Sequence, residues 1–301
     1  MPNLKDIKSR ISSVQNTKKI TKAMKMVAAA KVKKAENTVK ASRPFSDELL
    51  HLFRRMLATV GEYSIVGLKV NRGLDNYPVL LERREVKTEG LLVITSNKGL
   101  AGAYNANIIK TTLKRIKENT EKGIKTVIYP VGQKAVSGFK HKPGNYELRE
   151  GYLSVANDPT ATGANIIAED IAEDFVNGNI DKIDIITTHF NNMMSYNIVN
   201  WEVLPVEVEK AEVHELDPVM EFEPSAHAVL QQLVPMFITN SIFQALLEAN
   251  ASELASRMTA MSAASNNAEE MISTLTVDYN KARQAAITQE LVEIVSGASA
   301  I

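Results

Sequence analysis

LEANASELASRMTAMSAASNNAEEMISTLTVDYNKARQAA, residues 247–286, contains neither glycine nor proline. Leu247, Ala251, Leu254, Met258, Met261, Ser265, Ala268, Ile272, Leu275, Tyr279, Ala282 and Ala286 follow one another at alternating intervals of four and three, and only Ser265 among them is polar. Such a line is the seam of a coiled coil, because two helices supercoil when one apolar stripe repeats every 3.5 residues. The helical run extends from Pro235 to Gly297 without another proline or glycine. Roughly sixty residues at ~1.5 Å rise would reach ~90 Å, too long to be buried in a domain of this chain's size. Alanine on the seam makes the helix slim, and its stripe needs a second helix.

The other end of the chain can supply that helix. From Asn3 to about Leu57 the only proline is Pro44, there is no glycine, and good helix formers dominate. Leu4, Ile7, Ile11 and Val14 show the same alternating spacing. Beyond Val14 that line runs through Lys18, Thr21 and Lys25, while the apolar residues move about half a turn to Ile20, Met24 and Val27. Supercoiling drifts only ~20° per heptad and does not account for the jump, so the helix is expected to change neighbours there. NTKKITKAMKMVAAAKVKK, residues 16–34, is rich in lysine and has no acid. Residues 1–43 carry a charge of +10 and residues 246–301 a charge of −4. An antiparallel pairing of the two helices would neutralise only part of this, so a further acidic surface is implied.

Between the helices the pattern changes. Leu91–Thr95, Lys125–Val131 and Ile183–Phe190 read as strands, and helical patterns cover Asn105–Lys122 and Ala164–Asn177. Strand–helix alternation with continuous apolar strands predicts an α/β domain with a partly parallel sheet. Ser195–Val206 alternates like an edge strand, and acidic, proline-bearing Val208–Pro224 reads as a linker. The expected division is a helix at 1–57, an α/β domain at 75–208, and a linker with a long helix at 209–301.

The chain has 301 residues, no net charge and no cysteine. Disulfides, thiolate metal sites and a cysteine nucleophile are excluded. No apolar run suggests a membrane span, and the basic N-terminus lacks the apolar core of a secretory signal. SNKGLAGAYN, residues 96–105, follows a strand and precedes a helix. It has no GK[ST], and Gly99 with Gly102 does not make GxGxxG, so it reads as a tight turn rather than a phosphate cradle. His51, His141, His189, His214 and His227 have no partner at metal-ligand spacing. Asp181 and Asp184 could form a carboxylate pair, but they read as a polar strand entrance. Nothing assembles a nucleophile, a base and an orienting group. The basic helix has no aromatic before Phe45 and only Arg10 and Arg43 as arginines, which suits an acidic protein partner better than nucleic acid.

Tyr279–Ala300, YNKARQAAITQELVEIVSGASA, packs Arg283, Gln284, Thr288 and Glu290 into two turns around most of a slim helix. A protein sleeve would give each of them a partner. Here the sequence resembles the gamma-subunit family of F-type ATP synthases, over essentially its whole length. ITQELVEIVSGASA matches the family signature at Ile287, Thr288, Glu290, Glu293, Gly297, Ala298 and Ala300, ASELASRMTAMSAASNNA (251–268) matches the helix before it, and IKSRISSVQNTKKITKAMKMVAAAK (7–31) matches the N-terminal helix. SNKGLAGAYN resembles the family's central turn, with Asn97 where aspartate is common.

The resemblance implies a long antiparallel coiled coil of the N- and C-terminal helices plus a central Rossmann-like α/β domain. It implies a rotating central stalk inside a hexamer of alpha and beta subunits, in contact with epsilon and the membrane c-ring. Nucleotide chemistry would belong to alpha and beta, with no cofactor on this chain. Lys22, Met24 and Lys25 match the segment facing acidic loops of the beta subunits, although Lys25 stands where some relatives carry glutamate. Arg257, Gln284, Thr288 and Glu290 match positions that contact the hexamer. Photosynthetic members carry a redox cysteine pair in an insertion; with no cysteine this chain has no thiol switch. A free-living bacterial enzyme at the inner face of the plasma membrane is the expected setting, with a processed mitochondrial chain as the alternative. The rival readings are a coiled-coil adaptor without rotation and a phosphate-binding α/β enzyme with helical extensions.

Overall fold

The computed structural model describes residues 4–60, 77–206, 223 and 226–298. The linker read at 208–224 lies outside these residues except for Glu223, as do His214 and Ala300. In chain order the elements are α1 (Leu4–Val60), α2 (Tyr77–Leu80), β1 (Thr88–Ile94), α3 (Tyr104–Glu121), β2 (Lys125–Val131), α4 (Gln133–Lys140), β3 (Tyr146–Leu148), α5 (Ala161–Val176), β4 (Lys182–Asn192), β5 (Ser195–Leu204) and α6 (Ala226–Ala298). They form two compact units, Lys31–Ser256 and the paired segments Met1–Ala30 with Arg257–Ile301. The inner parts of both long helices thus belong to the unit that holds the sheet.

That unit is built on a five-stranded sheet in the order β3-β2-β1-β4-β5, parallel except for the β4–β5 hairpin. The apolar run of β1 is continuous because the strand is buried on both faces. Leu91 and Val93 pack with Ile108 and Ile116 of α3 and Phe139 of α4. Leu92 and Ile94 join a core made by α5, Leu49, Phe53 and Met56 of α1, and Leu230–Ala249 of α6. Pro130 is tolerated inside β2 because its missing N–H falls on the β3 side. There Arg149 N donates to Ile128 O and Tyr152 N to Pro130 O, whereas Thr95 N reaches Val131 O on the β1 side. Pairing with β3 has already stopped at Ile128–Leu148.

α4 and β3 go beyond the sequence expectation. α4 has eight residues and β3 three, too short for a clear period. Gly138 blurs α4 further, yet a Cβ there would come within 2.7 Å of Ile109 Cδ1 on α3. The turn into α4 uses Gly132 at φ 88°, and a Cβ there would lie 2.5 Å from the Thr95 carbonyl oxygen.

The helices run antiparallel within each unit. In the sheet unit Arg43 meets Glu248, and Phe53 stacks on Phe237 with ring centres 4.9 Å apart. In the other unit Lys18 Nζ lies 2.9 Å from Glu269, while Asp6, Ile7 and Arg10 share a groove with Leu275, Asp278 and Ala282. Every seam position named for α6 is buried or half-buried. Beyond Val14, α1 keeps α6 along one side, and Lys25 of the expected line is exposed. Lys18 and Met24 are half-buried and Thr21 and Ala28 are buried, whereas Ile20 and Val27 are 60% and 59% exposed. The seam continues through polar residues because a lysine stem can lie over a slim, alanine-rich partner while its ammonium reaches an acid beside the seam. Glu269, adjacent to buried Ala268, is that acid. Ile20 and Val27 form a second stripe, off the seam.

Candidate functional site

The turn at 96–105 is closed by its own bonds. Ser96 N donates to Asn105 Oδ1 at 3.0 Å, and Ser96 Oγ donates to Lys98 O at 2.7 Å. Asn97 donates from Nδ2 to Leu153 O and accepts Gln133 N at Oδ1, which ties the turn to the start of α4. Tyr104 OH donates to Ala249 O and Ser256 Oγ to Ala101 O, so α6 is stitched to the same turn. The cavity lined by Thr95, Ser96, Tyr104 and Glu253 measures about 10 Å³, the scale of a single water. The turn ties β1, α4 and α6 together.

Asp181 and Asp184 do not pair with each other. Asp181 Oδ2 accepts the backbone N–H groups of Lys87 and Thr88 and so caps the entrance to β1. Asp184 is fully buried beside Glu89 of the neighbouring strand, with Arg115 Nη2 at 2.5 Å from Glu89 Oε1 and 3.4 Å from Asp184 Oδ2. Lys182 lies 3.2 Å from Asp184 and 3.0 Å from Glu202, and Asn200 donates to Asp184. Burial pushes the Glu89 carboxyl up, but hydrogen bonds from Arg115 and Asn119 outweigh it and hold the group below the usual carboxylate range. Burial holds Asp184 above it, helped by the negative charge of Glu89. The cluster is two strand carboxylates locked by two cations under α3. No group of three His, Cys, Asp or Glu side chains suited to a metal occurs among the described residues.

The sequence-selected contact residues lie along the two helices instead of converging on a pocket. On α1, Lys22 and Lys25 are exposed and Met24 is half-buried. On α6, Arg257 is half-buried, while Gln284, Thr288 and Glu290 are exposed. Gln284 and Thr288 are joined, with Thr288 Oγ1 donating to Gln284 O at 2.9 Å. The charge of Lys18 reaches Glu269 through the hydrogen bond between them and, with a smaller contribution from Lys22, lowers the Glu269 pKa.

Two apolar features of the long helices are exposed. One is the end of α6. Every residue from Ile287 to Ser296 is exposed, including Ile287, Leu291, Val292, Ile294 and Val295. The spacing of Ile287, Leu291, Ile294 and Val295 marks one helix face, and the groove shared with α1 stops at Ala285. The second is the outward stripe of Ile20 and Val27, with Met26 beside it at 60% exposure. Its signal was present in the sequence as apolar residues off the heptad line.

A family profile described as ATP synthase matches residues 3–301. The ATP synthase gamma chain of Gloeothece citriformis is 40% identical, and that of a Picosynechococcus species 42% identical, each with all of both chains covered. The first alignment spans 329 positions against 301 residues here, so that relative carries residues this chain lacks. The central stalk and c-ring structure of the Tetrahymena thermophila mitochondrial ATP synthase includes a similar chain at 25% identity and TM-score 0.58, covering 82% of this chain and 99% of that one. A chain of the Euglena gracilis mitochondrial ATP synthase shares the fold at TM-score 0.62, covering 99% and 94%. With the paired terminal helices and the sheet between them, these likenesses place the chain in the ATP synthase family, among its gamma chains.

Proposed function

We propose that this chain is the central-stalk rotor of a proton-translocating ATP synthase, coupling rotation of the c-ring to ATP synthesis or hydrolysis at the beta subunits. The observation that carries the reading is the end of α6, a single slim helix exposed on all sides with an apolar face. An exposed apolar face of this kind marks a surface that a partner covers, and the alpha–beta hexamer supplies a sleeve for it. Gln284, Thr288 and Glu290 meet that sleeve, as does Arg257. Lys22 and Lys25 meet acidic loops of the beta subunits, with Met24 beside them, and Ile20 and Val27 offer the apolar part of the same contact. The sheet domain, taken as residues 75–208, meets epsilon and the c-ring. Catalysis belongs to the beta sites, and this chain supplies no catalytic group and no cofactor. No helix among the described residues is long and apolar enough to cross a membrane. The chain is peripheral, held through the complex at the cytoplasmic face of a bacterial plasma membrane.

The test is purification of the tagged chain from gently extracted membranes. Alpha, beta and epsilon subunits are expected with it, with ATPase activity in the complex and none in the isolated chain. Recovery of the chain alone, or micromolar nucleotide binding by it, would contradict the reading.

A further inference from the structure

Arg43 on α1 and Glu248 on α6 form a two-pronged ion pair, with Nε 2.8 Å from Oε1 and Nη2 2.9 Å from Oε2. Glu248 is 1% exposed. Both members also hold one residue of the sheet. Phe190 N donates to Glu248 Oε2 at 2.7 Å, and Phe190 O accepts from Arg43 Nη2 at 2.7 Å. Gln244 Nε2 donates to Glu248 Oε1 at 3.0 Å. His189 Nδ1 lies 3.5 Å from Glu248.

The register explains why Phe190 is available. β1 pairs with β4 only as far as Val93–Ile186, while β4 runs on to Asn192 with β5 along its other side. Past Ile186 the edge of β4 that faced β1 has no strand. Arg43 and Glu248 stand in for it, giving the Phe190 backbone an acceptor and a donor. Around them Val32 and Val39 of α1, Leu247, Ala251 and Leu254 of α6, and the Phe190 side chain form one apolar cluster.

Other polar links to the long helices, such as Thr187 Oγ1 of β4 to Ala245 O and Tyr104 OH of α3 to Ala249 O, reach α6 alone. The Phe190 clamp holds both helices at once. Apolar packing resists separation but is non-directional. A forked, charge-assisted pair fixes orientation, so a twist of the helix pair against the sheet must break its bonds together.

We propose that the Arg43–Glu248–Phe190 clamp is the torque-bearing joint of the rotor, where twist passes between the helix pair and the sheet domain. The proposal rests on the rotor reading. Arg43 and Glu248 are positioning residues in it and touch no nucleotide.

The test uses the whole membrane complex with a bead on Lys110→Cys, an exposed α3 position in a chain with no other cysteine. The angular variance of the bead is measured with the complex stalled, for the parent, Glu248→Gln, Arg43→Lys and the control Lys40→Ala, which breaks only the exposed Lys40–Glu36 pair. Arg43→Lys keeps the charge and loses the fork, so it provides the readout if Glu248→Gln fails to assemble. Variance is expected to rise about twofold or more in both clamp variants, because neither can reproduce the two-pronged geometry. ATP-driven proton pumping per ATP hydrolysed should fall with it, while unloaded hydrolysis and the control stay at the parent value. Parent-like variance and pumping in an assembled clamp variant would overturn the joint while leaving the rotor intact. A parent bead that does not turn under ATP would overturn the rotor reading itself.

Discussion

Glu89 and Asp184 have opposite linkage to pH. Glu89 titrates below its ordinary range in the folded chain, so its contribution is present above about pH 4 and is lost as pH falls through the lowered value. Asp184 is raised, so its contribution is present at low pH and fades as pH rises through the raised value. Glu89→Gln leaves Arg115 with Asp184 and a looser contact to Glu118; breaking a fully buried pair costs about 3–5 kcal/mol, and the part-exposed Arg115 brings the cost to the low end of that range. Denaturant unfolding should show that loss at pH 7 and a shrinking difference from the parent below about pH 4. A difference independent of pH would mean that the Glu89 charge is not what stabilises. Gly132→Ala puts a Cβ at φ 88°, against the Thr95 carbonyl. Thermal unfolding should report a loss of about 1–3 kcal/mol, and an unchanged melting temperature would contradict the turn geometry. Neither the carboxylate pair nor the clamp could be read from the sequence. Glu89 is 26 positions from Arg115, and Arg43 is 205 from Glu248. Only the pairing of strands and helices brings them together.

The α6 seam was legible because it is periodic and uninterrupted, and its positions are the shielded ones. On α1 apolar residues occupy two faces. There the apolar residues Ile20 and Val27 point away from α6, and the seam passes through Lys18 and Thr21. Apolar periodicity reports every surface a helix must cover, including one supplied by another chain. Ala251 is fully buried in the cluster with Val39 and Phe190. Ala251→Leu should therefore overpack the seam and cost about 1–3 kcal/mol in thermal unfolding; a stabilised variant would show that the helices are not held this closely. Replacing Lys22 and Lys25 together with glutamine should lower ATP-driven proton pumping by membrane vesicles with little effect on the stability of the chain. Each exposed pair contributes only about 0–1 kcal/mol, which suits contacts that must be made and released in turn. Unchanged pumping would remove these lysines from the contact. The seven contact residues were chosen through family resemblance, since exposure on a helix names no partner.

As a whole, the chain combines a sheet domain, with both helices clamped to β4, and paired helix ends that leave α6 bare over its last turns. The turn at 96–105 is closed by its own hydrogen bonds and tied to the start of α4. The central claim is that the chain turns inside its partners. It is tested most directly by fixing the beta subunits of the purified complex to a surface, attaching a bead through Lys110→Cys, and adding ATP. The account predicts stepwise rotation in one direction that stops when ATP is removed. ATP hydrolysis at full rate with the bead stationary would contradict it.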